Sequence, residues 1–278
     1  MTVSNPDAWR PVSFVGRLFK SYLLMPEHPA KVRVETLLGK ALFGSGITLQ
    51  GHGARLQLDA NDWITRMLLE HGNYEQQSLA LAKRLLNRGG TFLDIGANFG
   101  LYTCILGTLP NVGCIAVEPS AEMFLRLKRN LALNASIRVM TAHLALSADT
   151  MLVSFGSPDA GNKGMSRIMA SRGEDLIACI SLNRLLDHIK PGPVTLMKID
   201  VEGHEMDILR AFDFAGPYRP ANIIAEYVPA HDAARLSFAD YCEFFRQQGY
   251  ELLTVTGETI REGAIPEHNI WLKDRQVS

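Results

Sequence analysis

Thr91-Phe92-Leu93-Asp94-Ile95-Gly96-Ala97-Asn98-Phe99-Gly100 reads as a strand that runs into a glycine-rich turn and then a helix. Thr91 to Ile95 is a short, partly β-branched apolar run, preceded by Gly89-Gly90 and broken by Gly96, and Leu101 to Leu109 has the composition of a buried helix. Glycines at 96 and 100 let the backbone bend and approach a ligand, while the helix beyond offers unpaired N–H groups. Asp94 sits at the carboxyl end of the strand, where open α/β sheets bind their ligands. A dinucleotide fingerprint has two glycines one residue apart and a third three further on. Here the spacing is Gly96 to Gly100, with an acid two residues before the first, which argues against a nicotinamide cofactor. A carboxylate at 94 suits the ammonium of an amino-acid-bearing cofactor better than a pyrophosphate. An ordinary strand–helix turn without a ligand is the competing reading of this segment.

Working outward, Cys114-Ile115-Ala116-Val117-Glu118 is a second buried strand that also ends in an acid. Asp94 and Glu118 are separated by one strand–helix–strand crossover, which puts Glu118 where a ribose-binding carboxylate belongs in nucleotide folds. Pro119 stops the strand and Ala121 to Leu133 supplies a helix with Met123, Phe124, Leu127 and Leu131 on one face. Ile137 to Ala142 is a third strand, and Leu144 and Ala145 follow at its end, where an adenine can lie. Val194 to Asp200 is another buried strand, followed by Val201-Glu202-Gly203-His204-Glu205 and a helix to about Phe212. Side chains alternate along a strand, so Lys198 and Asp200 share a face. If Ile223-Ile224-Ala225-Glu226 is the neighbouring strand, Glu226 joins them. A structural ion pair between Lys198 and Glu226 accounts for those two residues but not for Glu202 and His204 in a tight turn.

The composition sets bounds. Hydrophobic residues make up 47% and charged residues 21%, so the chain can bury a core and is not of disordered type. Lysine and arginine number 28 against 29 acids, a balance that excludes a nucleic-acid footprint as the dominant feature. The cysteines at 104, 114, 179 and 242 have no zinc or redox spacing, which points to buried thiols in a reducing compartment. No secretory signal opens the chain and no stretch is long enough to cross a bilayer, so the expectation is a cytoplasmic protein.

Before the nucleotide-type core, residues 11–24 place apolar groups at 14, 15, 18, 19, 22 and 23, with Arg17 and Lys20 off that stripe. Such a helix can pack on its own domain, on a twin subunit in a homodimer, or peripherally on a membrane. A second helix spans Ala30 to Phe43, and Ile47 to Asp59 alternates around Gly51-His52-Gly53 as a hairpin, with His52 an exposed tip residue. Asp62 to Glu70 and Glu75 to Asn87 have helical patterns. Residues 1–74 are accordingly read as a helical and hairpin extension, and 75–278 as the catalytic domain. Pro158 to Arg172 has no period and reads as a lid or a disordered loop, with Arg167 and Arg172 as acceptor contacts in the first case. Ser237 and Asp240 cap a helix that Gly249 closes, and Glu251 to Val255 and Asn269 to Leu272 form an antiparallel pair at one edge.

Four segments together resemble the FkbM-type family of S-adenosylmethionine-dependent methyltransferases. They are Tyr74-Glu75, Phe92 to Gly100 with Leu101-Tyr102-Thr103, Val117-Glu118-Pro119, and Lys198-Ile199-Asp200-Val201-Glu202-Gly203-His204-Glu205, with weaker echoes at Leu144 to Ser147 and Asn269 to Trp271. The likeness covers roughly residues 62 to 272 and is most specific in the last of the four segments. It implies an α/β, Rossmann-like class I methyltransferase fold: a mostly parallel seven-stranded sheet with a reversed edge strand. It also implies S-adenosyl-L-methionine held by Glu75, Asp94, Gly96, Ala97, Asn98, Gly100, Tyr102, Glu118, Pro119, Leu144, Ala145 and Asp200, and O-methylation of a sugar, glycan or natural-product hydroxyl. One departure is Asn183, where the family more often carries aspartate.

An alcohol becomes a good nucleophile when its proton is drawn away. A base with a near-neutral pKa does this best, so His204, oriented by Glu202 or Asp200, is the expected base, with Lys198 and Glu226 completing the catalytic set. The alternative is a divalent metal on Asp200, Glu202 and Glu226 acting as a Lewis acid, which the carboxylate count permits without requiring. The rival classes are a nicotinamide oxidoreductase and a catalytically silent binding protein of the same fold.

Overall fold

A computed structural model describes residues 7–44, 46–156, 167–168, 175–227, 236–260 and 269–276. In chain order its elements are β1 (Arg10–Pro11), α1 (Phe14–Leu23), α2 (Lys31–Leu42), β2 (Ile47–Gly51), β3 (Ala54–Leu58), α3 (Trp63–His71), α4 (Gln76–Leu85) and β4 (Gly90–Ile95). Then come α5 (Leu101–Leu106), β5 (Val112–Val117), α6 (Ala121–Ala132), β6 (Arg138–Ala142), β7 (Ala145–Leu146), β8 (Met151–Gly156), β9 (Arg167–Ile168), β10 (Asp175–Ile180) and α7 (Leu182–Ile189). The chain closes with β11 (Val194–Ile199), α8 (Glu205–Arg210), β12 (Asn222–Glu226), α9 (Phe238–Gln247), β13 (Tyr250–Thr254) and β14 (Asn269–Asp274).

The central sheet has seven strands in the order β13-β14-β12-β11-β4-β5-β6. Strands β12, β11, β4, β5 and β6 are mutually parallel. The run Phe92 to Ile95 is buried throughout, as a strand covered on both faces requires. Strand order reverses between β11 and β4, so the crevice at the carboxyl ends of these strands is the topological switch point. The reversed strand is β14, the last in the chain, antiparallel to both β12 and β13. It lies one place in from the edge, with β13 outside it. A second, small sheet, β7-β10-β8-β9, follows β6.

The elements before residue 75 share a core with the central sheet. Trp9, Phe19, Leu49, Leu56 and Leu68 belong to the same apolar cluster as Phe92, Tyr102 and Leu127. Burying such side chains is worth about 1.5–3 kcal/mol each, so the extension is anchored by its core residues. Asn130, fully buried on α6, donates to the Phe99 carbonyl at 2.8 Å and accepts from the Gln57 N–H at 2.7 Å. It thereby ties the glycine-rich turn to β3.

Helix α1 departs from the expected stripe: Gly16, Phe19 and Leu23 are buried, while Phe14, Val15 and Leu18 face outward. His52 also departs from expectation. Its side chain is 9% exposed, its Nδ1 lies 2.9 Å from Lys83 Nζ, and its ring packs 5.9 Å from Trp9. Arg172 and most of the 158–172 segment lie outside the described residues, and Arg167 is described only as a strand position. All four cysteines are buried free thiols. No helix among the described residues is long and apolar enough to cross a membrane.

Candidate active site

Strand register assembles the site. Asp94 stands opposite Lys198 on β11 and opposite Ala116 on β5, so the chain exits after β4, β5 and β11 are adjacent. The Gly96 and Ala97 N–H groups both donate to the Val117 carbonyl, at 3.0 and 2.9 Å, and the Asp200 N–H donates to the Ile95 carbonyl at 3.0 Å. Gly96 and Gly100 are both left-handed, with φ of 80° and 89°. A side chain at Gly96 would collide with the Asp200 carbonyl oxygen, and one at Gly100 with Leu127 of α6. The close approaches these glycines allow are therefore to the protein's own backbone and core, in addition to bending the turn.

A cavity of about 460 Å³ opens over these strand ends, within the range of cofactor and small-molecule sites. Glu75, Asp94, Gly96, Ala97, Asn98, Tyr102, Glu118, Pro119, Leu144, Ala145 and Asp200 line it, and so do Lys198, Glu202, His204 and Glu226. Gly100 is absent from the wall and serves packing instead. Three of the non-glycine residues with left-handed backbone, Glu75, Asn98 and Glu202, lie on this wall. Such strain persists where surrounding structure over-determines it, and it concentrates at ligand sites. At Asn98 the source is visible: its N–H donates to Glu118 Oε2 at 2.8 Å and its own Oδ1 accepts from the Phe99 N–H at 2.8 Å.

Residues 94–252, more than half of the 278, match the family described as the methyltransferase FkbM domain. The chain belongs to the FkbM family. Among curated proteins, it is 30% identical over 163 residues to the hexuronic acid methyltransferase AglP of Haloferax volcanii, covering 58% of this chain and 65% of that protein. It is 27% identical over 154 residues to the methyltransferase sdnD of Sordaria araneosa, covering 44% of this chain and 60% of that protein. The FkbM chain therefore spans a little under two thirds of the length of these relatives. Among solved structures, the precorrin-6y C5,15-methyltransferase of Geobacter metallireducens aligns with a TM-score of 0.42 at 15% identity, over 72% of this chain and 88% of that one.

The electrostatics of the FkbM site follow from burial. Asp94, 2% exposed, accepts from the Thr103 hydroxyl at 2.5 Å, and burial raises its pKa to about 6 against the pull of Lys198. Glu118 accepts from the Ser120 N–H through Oε1 at 2.7 Å and from Asn98 through Oε2. Burial nevertheless lifts it to about 7. Burial works against the charge on Lys198, but Asp200, Glu75 and Asp94 outweigh it and hold the ammonium above its ordinary range. Lys198 Nζ donates to Asp200 Oδ2 at 2.7 Å and stands 4.9 Å from the Tyr102 ring centre. The competing reading, a structural ion pair between Lys198 and Glu226, gives way to a pair with Asp200, which shares its face. Burial, and then the charges of Asp200 and Glu202, push the Glu226 carboxyl well above its ordinary range.

The turn after β11 is braced by Glu205, whose carboxylate accepts from the Val201 N–H at 2.7 Å and the Gly203 N–H at 3.1 Å. His204 Nδ1 lies 3.4 Å from Asp207 Oδ2. The acid beside the His204 ring is therefore Asp207, three positions on in α8, in place of the expected Glu202 or Asp200. A residue three positions ahead on the same helix face was the available signal.

The carboxylates that converge within 4.8 Å of one another, among the described residues, are Asp200, Glu205 and Glu226, with Glu205 where Glu202 was expected. Asp200 is committed to the Lys198 ammonium and Glu205 to backbone N–H groups. The donor set thus suits an ammonium sharing a carboxyl cluster better than a divalent cation.

The extension also reaches the cavity, which periodicity alone did not reveal. Asp59, Asp62, Trp63 and Tyr74 line it, and Arg126 of α6 bridges to Asp62 at 2.5 Å and to Glu122 at 2.7 Å. Asn183 lies away from this cavity. Its amide donates to the Ala211 carbonyl at 2.8 Å and accepts from the Asp213 N–H at 3.0 Å, a two-way clamp that an ionised aspartate cannot make.

Proposed function

We propose that this protein is an S-adenosylmethionine-dependent O-methyltransferase acting on a hydroxyl of a sugar, glycan or related natural product. The observation that carries the reading is the convergence of Asp94, Glu118 and the Asp200–His204 turn at the ends of three adjacent parallel strands around one cavity. The residues fit the cofactor. Asp94, beside the left-handed turn at Gly96, is placed for an ammonium, and Glu118, after β5, for ribose hydroxyls. Ala97, Asn98, Leu144 and Ala145 supply the remaining wall for an adenosyl group. S-adenosylmethionine supplies an activated methyl group when bound.

The protein's own contribution is alignment and proton removal. With its proton on Nδ1, His204 donates toward Asp207, 3.4 Å away, and that tautomer leaves Nε2 as the base for the acceptor hydroxyl. Lys198, locked to Asp200, keeps one positive charge against the carboxyl-rich wall. Glu226 lines the same cavity, and when protonated it can donate a hydrogen bond to the acceptor. Support for a sugar acceptor comes from the likeness to a protein named as a hexuronic acid methyltransferase. The test is incubation with isotope-labelled cofactor and a panel of glycosides, glycans and hydroxylated natural products, read by mass spectrometry. A labelled methyl ether that disappears in His204→Ala supports the proposal. Label on no hydroxyl, or undiminished label in that variant, refutes it.

A further inference from the structure

We propose that the wall contributed by the extension, Asp59, Asp62 and Trp63, is the acceptor subsite and that it takes an uncharged pyranose ring against Trp63. The proposal rests on the methyltransferase reading above and names the substrate class of that site. Trp63 is 63% exposed, whereas Trp9 and Trp271 are 1% and 8% exposed. It is an indole left in water on a cavity wall, the arrangement that stacks on the C–H face of a sugar.

The ring is held in place. Trp63 meets Tyr74 edge-on, with centroids 5.8 Å apart and planes at 89°. Trp63 and Tyr74 line the same cavity as Lys198, Asp200 and His204, and Tyr74 feels the charges of Glu75, Asp200 and Lys198. A pyranose resting on Trp63 can therefore present a hydroxyl toward the Asp200–His204 turn.

The polar groups beside the indole match hydroxyls. Asp62 occupies the N-cap position of α3, yet its carboxylate makes no cap and turns to Arg126 on the cavity wall. Arg126 also binds Glu122, which latches α3 to α6 and stiffens the rim. Asp59, Asp62 and Glu122 stand against Arg126 alone on this wall among the described residues. That acid excess accepts hydrogen bonds from sugar hydroxyls and repels a uronate carboxylate.

The experiment uses the full chain saturated with S-adenosylhomocysteine. Acrylamide quenching of tryptophan fluorescence reads Trp63 selectively, because the other two indoles are buried. The methyl glycosides of glucose, galactose and mannose are the neutral probes, and glucuronate is the charged one. At least one neutral glycoside is expected to shield the quenchable tryptophan, with glucuronate about tenfold weaker. In labelled-methyl transfer to the shielding glycoside, Trp63→Ala is expected to raise KM about tenfold or more. Its kcat and S-adenosylhomocysteine affinity should stay near wild type, and Trp63→Phe should recover much of the loss. Shielding by no glycoside, equal shielding by glucuronate, or an unchanged KM in Trp63→Ala overturns the proposal. If S-adenosylhomocysteine binds and methyl transfer proceeds on another hydroxyl class with Trp63→Ala silent, the subsite fails while the methyltransferase reading stands. If S-adenosylhomocysteine does not bind, both fall.

Discussion

Glu118→Gln is the substitution whose consequences the structure defines most sharply. The two carboxylate oxygens are divided between two backbone donors, Oε2 for Asn98 and Oε1 for Ser120. A glutamine has one oxygen, so whichever way its amide turns, one buried N–H must face an NH₂ group. Leaving such a donor unsatisfied costs about 1–3 kcal/mol. The loss falls on Asn98 or on the N-cap turn of α6, and Asn98 is already held at φ 52°. Thermal unfolding of the unliganded variant at pH 5.5, below the Glu118 pKa of about 7, should therefore show Tm lower by roughly 3–8 °C, a deficit that shrinks at pH 8, where wild type carries a buried charge that glutamine lacks. Loss of the paired acceptor for the ribose should weaken S-adenosylhomocysteine about 10- to 100-fold by titration calorimetry, from charge-assisted bonds worth about 1.5–3 kcal/mol. A variant with wild-type Tm and wild-type affinity would refute both the bracing role of Glu118 and its place in the cofactor site.

Asp94 and Glu118 have folded-state pKa values of about 6 and about 7, raised by burial. The folded apo protein therefore binds more protons than the unfolded chain between the ordinary carboxylate range and pH 7. Their contribution to apo stability is full below pH 4 and is lost as pH rises through 6 and 7. A ligand that prefers the ionised carboxylates reverses the trend: S-adenosylhomocysteine affinity should rise from pH 5.5 to 8, with proton release measurable in buffers of different ionisation enthalpy. Asp207→Asn should lower kcat about tenfold or more with an altered pH profile while leaving S-adenosylhomocysteine affinity near wild type, because it disturbs the His204 tautomer and not the cofactor wall. Asn183→Asp should destabilise the fold by about 1–3 kcal/mol in chemical denaturation, since the Ala211 carbonyl loses its donor.

The parts of the site legible in the sequence were those carried by local pattern. Asp94, Glu118 and Asp200 each end an apolar run, and parallel strands with short crossovers bring such ends together. The 198–205 segment announced itself because five ionisable groups, Lys198, Asp200, Glu202, His204 and Glu205, crowd a strand end and its glycine turn. What could not be read was partner choice at a distance. Nothing in the spacing says that Lys198 selects Asp200 over Glu226, that Glu205 folds back onto its own turn, or that Gly96 is required by the Asp200 carbonyl. The N-terminal third is the larger case. Its helices and hairpin were visible, but its contribution of Asp59, Asp62 and Trp63 to the cavity depends on the Asn130 clamp to β3 and the Arg126 latch to α3. Those contacts join positions 73 and 64 residues apart. The interior place of β14 escaped for a similar reason: an antiparallel return at the end of a chain can add outside its predecessor or slip between it and the sheet.

The proposed binding of the adenosyl amino-acid cofactor falls to the buried carboxylates of the cavity at the ends of β4, β5 and β11. Calorimetric titration of the full chain with S-adenosylhomocysteine, beside Asp94→Asn and with NADH as the competing nucleotide, tests it directly. Saturable one-to-one binding of S-adenosylhomocysteine, strongly weakened in Asp94→Asn, is expected, with no heat from NADH. Binding of NADH in its place, or S-adenosylhomocysteine affinity indifferent to Asp94, would contradict it.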